Sequence, residues 1–267
     1  IGIATVILNL FMFVTCKERV VENDVEGENK KEKISFIKSI KGLITNKYWL
    51  LIVIAMFAMY FMMSCFFGSA AYYAQYVMGD IDYYAPLSNA LSIAQIVTMF
   101  ITPFVMKKIG KRNTMLIGTI VSTAGFFLTG VLGVSLTVQI TASIIKGVGF
   151  GCSAAVMFGM LQDAITYGQW QNGYGSSGMG NAASSFCMKV GSGIGTAALG
   201  WILSFGKFDA TLAEQSSAAI SAIGVSFAWI PAITMFIGAI CIFFYDLDKR
   251  YDKVVADLEA GKYKDSI

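Results

Sequence analysis

The sequence predicts an all-α membrane protein with six complete bilayer crossings. Hydrophobic residues make up 56% of the chain and charged residues only 14%, a composition typical of a polytopic membrane protein and not of a soluble domain. The hydrophobic residues are concentrated in segments of about 20 residues or more, the length of helix that spans roughly 30 Å of hydrocarbon. Most lysines and arginines lie between these segments.

Four regions follow one another along the chain. Residues 1–16 are apolar but too short for a crossing, and they have neither an initial methionine nor a basic leader, so we expect them to be the end of a longer membrane helix. Residues 17–48 form a charged linker, residues 49–244 a six-helix bundle, and residues 245–267 a charged tail. The six crossings are predicted at 49–77, 85–106, 114–133, 138–165, 178–205 and 218–244.

The end of the linker has apolar residues at helical spacing with lysines at the edge of the stripe: Phe36, Ile37, Ile40, Leu43 and Ile44, with Lys38 and Lys41. This pattern predicts a short amphipathic helix on the membrane surface, where lysines meet anionic headgroups. A solvated linker is the alternative.

The distribution of basic residues predicts the orientation of the chain. The linker, the loop at Lys107–Asn113 and the tail together contain 17 of the 20 lysines and arginines. Because basic loops stay on the cytoplasmic side, we expect the linker and the tail to be cytoplasmic. The predicted location is the plasma membrane, which in a bacterium is the inner membrane.

Lys189 is the first candidate functional residue, because it lies near the middle of the apolar segment Gly178–Phe205. An ammonium at that depth costs about 2.5–3.5 kcal/mol on the insertion scale, so we expect it to face a wet cavity or a partner. Ser185 lies one turn earlier on the same face and Asn181 one turn further, which predicts a polar seam. Snorkelling is the alternative, but snorkelling lysines lie near helix ends.

Two glycine repeats resemble a dinucleotide-binding loop at first sight: Gly147, Gly149 and Gly151, and Gly191, Gly193 and Gly195. Cys152 and Thr196 occupy the position of the third glycine that such a loop requires, and neither repeat follows a strand. Small residues at this spacing instead predict close packing of membrane helices.

No pattern in the chain indicates an enzyme, a cofactor or a nucleic-acid partner. The sequence contains no histidine, and its five cysteines lie in or beside apolar runs without a C-x-x-C pair. We therefore interpret the cysteines as small buried hydrophobic residues and expect neither a zinc site nor a disulfide framework.

Four segments resemble the second half of the glycoside-pentoside-hexuronide:cation symporters, a branch of the major facilitator superfamily that includes the melibiose permease. The segments are YYAQYVMGD at Tyr72–Asp80, PFVMKKIGKRN at Pro103–Asn113, DAITYGQW at Asp163–Trp170, and SFCMKVGSGIG at Ser185–Gly195. They occur in the family's order and at matching spacing over nearly the whole chain. The resemblance implies that the six crossings are helices seven to twelve of a twelve-helix transporter and that Ile1–Thr15 ends helix six.

The resemblance also implies an activity, which is uptake of a sugar or glycoside coupled to Na⁺ or H⁺. In the family, the lysine that matches Lys189 lies in the cavity near sugar and cation, while the principal acidic residues lie in the first six helices. We therefore expect the coupling cation to bind mainly in an N-terminal six-helix half, which would be the partner of this chain. The loop residues Lys111 and Arg112 match a cytoplasmic hairpin that takes part in charge pairing between states.

The inner end of the fourth crossing departs from the family pattern. Relatives usually read Asp-x-x-Asp-Tyr-Gly-Glu, whereas here Asp163 and Tyr167 are kept and Thr166 and Gln169 replace the second Asp and the Glu. We expect a cytoplasmic gate that depends on Asp163, with hydrogen bonding by Tyr167 and Gln169. In the same crossing, Lys146 matches a position that is often basic in relatives, and both a functional role and simple snorkelling are open interpretations.

Two alternatives to a sugar symporter are open at the level of sequence. A facilitator of a lipid or another non-sugar solute would fit, because we expect the four tryptophans to lie toward helix ends or outside the cavity centre, where they would not stack on a sugar. A non-transporting membrane sensor or scaffold on a transporter fold would also fit.

Overall fold

The structure, a computed structural model, describes residues 2–15, 36–212 and 214–264, and all regular secondary structure within these ranges is helical. The helices are α1 (Gly2–Thr15), α2 (Phe36–Thr45), α3 (Lys47–Tyr72), α4 (Tyr84–Ile109), α5 (Lys111–Val131), α6 (Leu136–Asn172), α7 (Ser177–Phe205), α8 (Ser217–Gly224), α9 (Ile230–Phe243) and α10 (Tyr251–Glu259). The charged part of the predicted linker at residues 17–35, together with Cys16, lies outside the described residues.

Six helical segments are long and apolar enough to cross a membrane, which confirms the predicted all-α membrane class. They are Lys47–Val77, Ile81–Ile109, Lys111–Val131, Leu136–Asn172, Ser177–Phe205 and Ser217–Lys249. These segments belong to a unit formed by residues 34–267, while α1 belongs to a separate unit of residues 1–33. The end of the bundle that carries Lys47, Lys111 and the tail is called the basic end below, and the other end the opposite end.

Two of the crossings contain a π-helical segment near the opposite end. α3 continues into π-helix at Tyr73–Val77, and α8 is joined to α9 through π-helix at Val225–Trp229. The two segments meet, because the ring of Tyr73 stacks on the ring of Phe227 with centroids 4.0 Å apart. π-helical segments are rare in proteins overall, and those that occur are frequently at functional sites.

The predicted end of the fourth crossing at residue 165 is wrong, because α6 continues to Asn172. No proline or positive φ interrupts the helix before Gly173, which has φ 74° and caps the helix by donating its N–H to the carbonyl of Gln169 at 2.9 Å. Gly168, which could have suggested a loop, is buried against Asn46. Tyr167 and Gln169 therefore lie on the last turns of a helix.

The first glycine repeat lets α6 approach two neighbouring helices closely. A Cβ atom added at Gly147 or Gly151 would collide with the backbone of α4 at Leu91 or Gln95, and one at Gly149 with the backbone of α5 at Gly118. These contacts confirm the prediction of close helix packing.

The second glycine repeat performs the same role between α7 and α3. A Cβ atom at Gly191 would lie 2.8 Å from the carbonyl oxygen of Phe57, and one at Gly195 2.5 Å from that of Phe61. Gly193 points away and has no neighbour within 4 Å. α7 is thus held against α3 by one edge, which leaves its other faces open.

The buried core lies between α3, α6 and the last crossing, with large side chains that include Ile52, Met56, Met62, Met160 and Met235. The burial of the most apolar 18-residue stretch differs between crossings. Half or more of these residues are buried in the crossings of α3 and α6, compared with 17% in that of α4 and 22% in that of α7. α3 and α6 are therefore the central helices of this bundle, whereas α4 and α7 present most of their surface outward.

Candidate functional site

The predicted polar seam lies on an open face of α7. Lys189 and Ser185 are exposed and Asn181 is half-buried, at successive turns of one helix. Within the part of the chain that the structure describes, the Lys189 ammonium has neither a hydrogen bond nor an ion pair, whereas the Asn181 amide oxygen accepts a hydrogen bond from Gln162 Nε2 at 2.8 Å. The described residues of the bundle do not enclose the amine.

The position of Lys189 follows from the way α7 packs. Gly191 and Gly195 face α3, and Ser192 shares a hydrogen bond with Ser64 of α3 at 2.8 Å. Lys189 is therefore presented beside the α3–α7 contact, about midway along a helix that runs from residue 177 to residue 205. An ammonium at that depth requires water or another polar surface to solvate it.

A second cluster of predicted residues meets at the basic end. Lys111 Nζ lies 2.5 Å from Asp163 Oδ2, and the carboxylate is the more buried partner, with its side chain 8% exposed against 32% for the lysine. α5 supplies the lysine from its first residue, and α6 supplies the aspartate. This charged hydrogen bond ties the start of α5 to α6.

The other predicted gate residues have different partners. The Arg112 backbone N–H donates to Asp248 Oδ2 at 2.8 Å, and its guanidinium donates to the backbone carbonyls of Ile242 and Phe243 at the end of α9. The ring of Tyr167 packs edge-on against the ring of Tyr48, with centroids 4.7 Å apart. Gln169 is half-buried and makes no side-chain hydrogen bond within the described residues.

The tail supplies residues to this cluster that the sequence interpretation missed. A cavity of about 250 Å³ beside the ion pair is lined by Met106, Lys107, Gly110, Lys111, Asp163, Asp248, Tyr251 and Asp252. Lys111 Nζ lies 5.3 Å from the centroid of the Tyr251 ring. Burial, and then the negative charge of Asp163, raise the pKa of the Tyr251 hydroxyl. The signal in the sequence is the run of alternating charges directly after the last crossing, which by itself predicts only a charged tail.

Lys146 does not snorkel. Its side chain has no exposed surface, and its amine is directed into the bundle. The interpretation of a lysine reaching for the membrane surface is therefore wrong for this residue, and the reason is that aromatic side chains of three neighbouring segments close around it.

Comparison with known proteins identifies the fold's family. The model of the family described as MFS/sugar transport protein matches residues 2–249. The chain belongs to this family. The match covers all six crossings, and it confirms the resemblance to the sugar:cation symporters of the major facilitator superfamily.

Individual members of the MFS/sugar transport family are similar over most of this chain. The isoprimeverose transporter of Lactiplantibacillus pentosus is 31% identical over 97% of this chain and 53% of its own length. A glucuronide carrier protein homolog of Escherichia coli K12 is 29% identical over 73% of this chain and 43% of its own. A putative sulfoquinovose importer of the same strain is 22% identical over 96% and 55%. The chain spans about half the length of these relatives, which are transporters and not enzymes.

Proposed function

We propose that the protein containing this chain is a secondary active transporter that takes up a sugar or glycoside together with Na⁺ or H⁺. The observation that carries the proposal is the family match over residues 2–249, combined with a mid-helix lysine on an open face. The names of the similar proteins refer to carriers of isoprimeverose, a glucuronide and sulfoquinovose. These names support a sugar derivative as the substrate class.

We propose further that a second six-helix half covers the open face of α7. The relatives are about twice as long as this chain, and the exposed Lys189 requires a polar environment at mid-bilayer. Alternating access would then arise from the two halves rocking about a site near the bilayer midplane. The coupling cation would bind mainly to acidic residues of the other half.

In this mechanism Lys189 has two tasks. Its three N–H groups donate to hydroxyl oxygens of the substrate, and its charge pairs with a carboxylate of the other half when no cation occupies that carboxylate. Ser185 and Asn181 extend the polar surface along the same face. The lysine thus couples cation binding in the other half to sugar binding, because it is free to bind the sugar when the cation occupies the carboxylate.

The Lys111–Asp163 pair acts as an inner gate in the same scheme. It lies at the basic end, which the distribution of lysine and arginine assigns to the cytoplasm. Because the pair joins α5 to α6 beside a cavity lined by the tail, it stabilises one arrangement of the inner helix ends. Opening toward the cytoplasm would require these contacts to rearrange.

Uptake by the full-length protein tests the proposal. Proteoliposomes would be given radiolabelled isoprimeverose, a phenyl glucuronide or sulfoquinovose, with an imposed Na⁺ gradient, an imposed pH gradient or neither. We expect concentrative uptake of at least one compound that depends on one of the two gradients. Uptake that equilibrates without either gradient would contradict symport, and no transport of any glycoside by correctly inserted protein would contradict the substrate class.

A further inference from the structure

Lys146 occupies an aromatic cage inside the bundle. It lies in the third turn of α6 and has no exposed surface, although lysine is almost never fully buried without a partner. Its Nζ lies 4.9 Å from the ring centroid of Phe66, 5.3 Å from that of Phe126 and 4.9 Å from that of Phe227. The three rings come from α3, α5 and the π-helical segment of the last crossing.

The amine has one conventional hydrogen bond, to Thr129 Oγ1 at 3.1 Å. The Thr129 hydroxyl already donates to the carbonyl of Gly125 at 3.0 Å, so it can only accept from Lys146. Among the described residues, no carboxylate lies within ion-pair distance of this amine. A charged Lys146 is therefore stabilised by one acceptor and three ring faces, which offset only part of the cost of burying an ammonium.

Two cavities adjoin the cage and share its side chains. One, of about 290 Å³, is lined by Thr129 and Tyr73 among others. The other, of about 190 Å³, is lined by Phe66, Phe227 and Ser143 among others. Each has room for several water molecules beside hydroxyl groups that can bind them. Lys146 itself lines neither cavity, so water reaches the amine only by passing Thr129 from the larger cavity or the Phe66 and Phe227 rings from the smaller one.

Among the described residues that face the cage, Lys146 is the group that can carry a charge at ordinary pH. From the π-helical end of the first crossing the titratable neighbour is Tyr73, which stacks on Phe227, and from α4 it is Tyr84, which lines the smaller cavity. The other residues of α5, α6 and the π-helical segment that line the two cavities are apolar, glycine, serine or threonine. Gln139 of α6, which is buried and donates to the Thr129 carbonyl, carries no charge. Both tyrosines are neutral at ordinary pH.

We propose that Nζ of Lys146 is a proton-binding site in this half of the protein, loaded from water in the adjoining cavities. On loading, a hydronium ion gives its proton to the nitrogen lone pair, so that an N–H bond forms, an O–H bond breaks and a water molecule remains. Unloading is the reverse transfer to water. Because the ammonium attracts the three rings and the neutral amine does not, proton binding tightens the contact between α3, α5, α6 and the last crossing.

A direct titration tests the site without any transport. The full-length protein, labelled with ¹⁵N-lysine in detergent micelles, would be followed by NMR from about pH 5 to about pH 10, a range that ends near the ordinary lysine pKa. The Lys146 Nζ resonance is the one that disappears in Lys146→Met. We expect it to titrate within this range, and a resonance that stays constant throughout overturns the proposal.

Two further variants keep the test independent of how well Lys146→Met folds. In Thr129→Val the lysine remains but loses its hydrogen-bond acceptor, so the midpoint of the titration shifts. Lys207→Met, in an exposed loop at the opposite end, is the matched control and leaves the resonance unchanged. An unshifted midpoint in Thr129→Val would contradict the cage as the environment that sets proton binding.

The consequence for activity rests on the proposed function and is measured separately. Substrate exchange, which needs no gradient, would be recorded against pH for the unmodified protein, Lys146→Met, Lys146→Arg and Lys207→Met. We expect one inflection that Lys146→Met and Lys146→Arg both lose and Lys207→Met keeps. An inflection that persists in Lys146→Met would contradict the link to transport. A protein that exchanges no sugar at any pH would instead count against the proposed function, while the NMR titration would still decide the proton site.

Discussion

Asp163 Oδ2 and Lys111 Nζ lie 2.5 Å apart although 52 residues separate them in the chain. The carboxylate is nearly buried, the ammonium is about a third exposed, and together they close the contact between α6 and the first turn of α5. The pair stands beside a cavity to which the tail contributes Asp248 and Tyr251. The basic end of the bundle is thus held by charges from three separate parts of the sequence.

Removing the carboxylate is expected to loosen the basic end. Asp163→Asn leaves the Lys111 ammonium partly buried without its anion, and we expect a loss of about 1–3 kcal/mol in the free energy of unfolding, reduced toward the lower value by the exposure of the lysine. Asp252→Asn, an exposed residue on the rim of the same cavity, is the control. Unfolding midpoints in detergent measure both, and equal midpoints for the two variants would show that the pair has no stabilising role.

Lys189→Leu is expected to abolish substrate accumulation while leaving membrane insertion intact. The substitution keeps the apolar character of the helix but removes the charge that we place at the sugar and cation sites. Uptake against a gradient and the amount of protein in the membrane are measured together, with Lys207→Leu as the control for loss of one exposed lysine. Normal accumulation by Lys189→Leu would refute a central role for this residue.

Gly195→Ala is expected to separate α7 from α3. The added methyl group would lie 3.0 Å from Ser64 Cβ and closer still to the carbonyl of Phe61, and because both atoms belong to a packed helix we expect a cost of about 1–3 kcal/mol in unfolding free energy. Gly193→Ala is a matched control two residues away, where no neighbour lies within 4 Å. Thermal unfolding distinguishes them, and Gly193→Ala should be at least as stable as the parent, since alanine favours the helix.

Asn46 is expected to contribute both a helix cap and a contact between helices. Its side-chain oxygen accepts from the backbone N–H groups of Tyr48 and Trp49 at 3.1 Å, and its Nδ2 donates to the carbonyl of Ala164 at 2.7 Å. Asn46→Ala removes the cap, at about 1 kcal/mol, and the hydrogen bond to the Ala164 carbonyl, at about 0.5–1.5 kcal/mol more, because that carbonyl keeps its intrahelical hydrogen bond within α6.

Asn46→Ser separates the two contributions, because serine can cap the helix but cannot reach the carbonyl. We expect it to be intermediate in stability between Asn46→Ala and the parent. Asn113→Ala, which replaces an exposed asparagine that donates to the carbonyl of Ile109 at the end of α4, should change the unfolding free energy by less than about 0.5 kcal/mol. Equal stability of all three variants would contradict this assignment.

The loop after α7 is expected to lose its turn in acid. The backbone N–H of Thr211 and then its hydroxyl donate to Asp209, at 2.9 and 2.7 Å, and these bonds lower the pKa of the Asp209 carboxyl. Because the folded-state pKa lies below the ordinary value of about 3.9, the stabilisation is complete above that value and disappears as the pH falls through the folded-state pKa. Exchange of the Thr211 amide hydrogen should accelerate over that interval, and Asp209→Asn should show no such acid transition.

Much of the fold could be predicted because each element depends on its own stretch of chain. The six crossings follow from runs of apolar residues, and the glycine repeats were correctly assigned to helix packing because nothing in a membrane helix needs such spacing except a close neighbour. Lys189 could be singled out for a similar local reason, since a charge in the middle of an apolar run has to be solvated. Asp163 and Lys111 were selected as candidates by the resemblance to the symporter family, which did not pair them.

Pairings between distant residues were decided by the tertiary structure. Arg112 meets Asp248 at a separation of 136 residues, and Lys146 meets Phe66 and Phe227 from two other crossings. The sequence by itself therefore determined how many helices cross the membrane and where Lys189 lies along one of them. Which side chains share a cluster, and whether Lys146 reaches the surface or an aromatic cage, was decided only by helix packing, because a helix fixes the face on which a residue lies but not the neighbour that covers it.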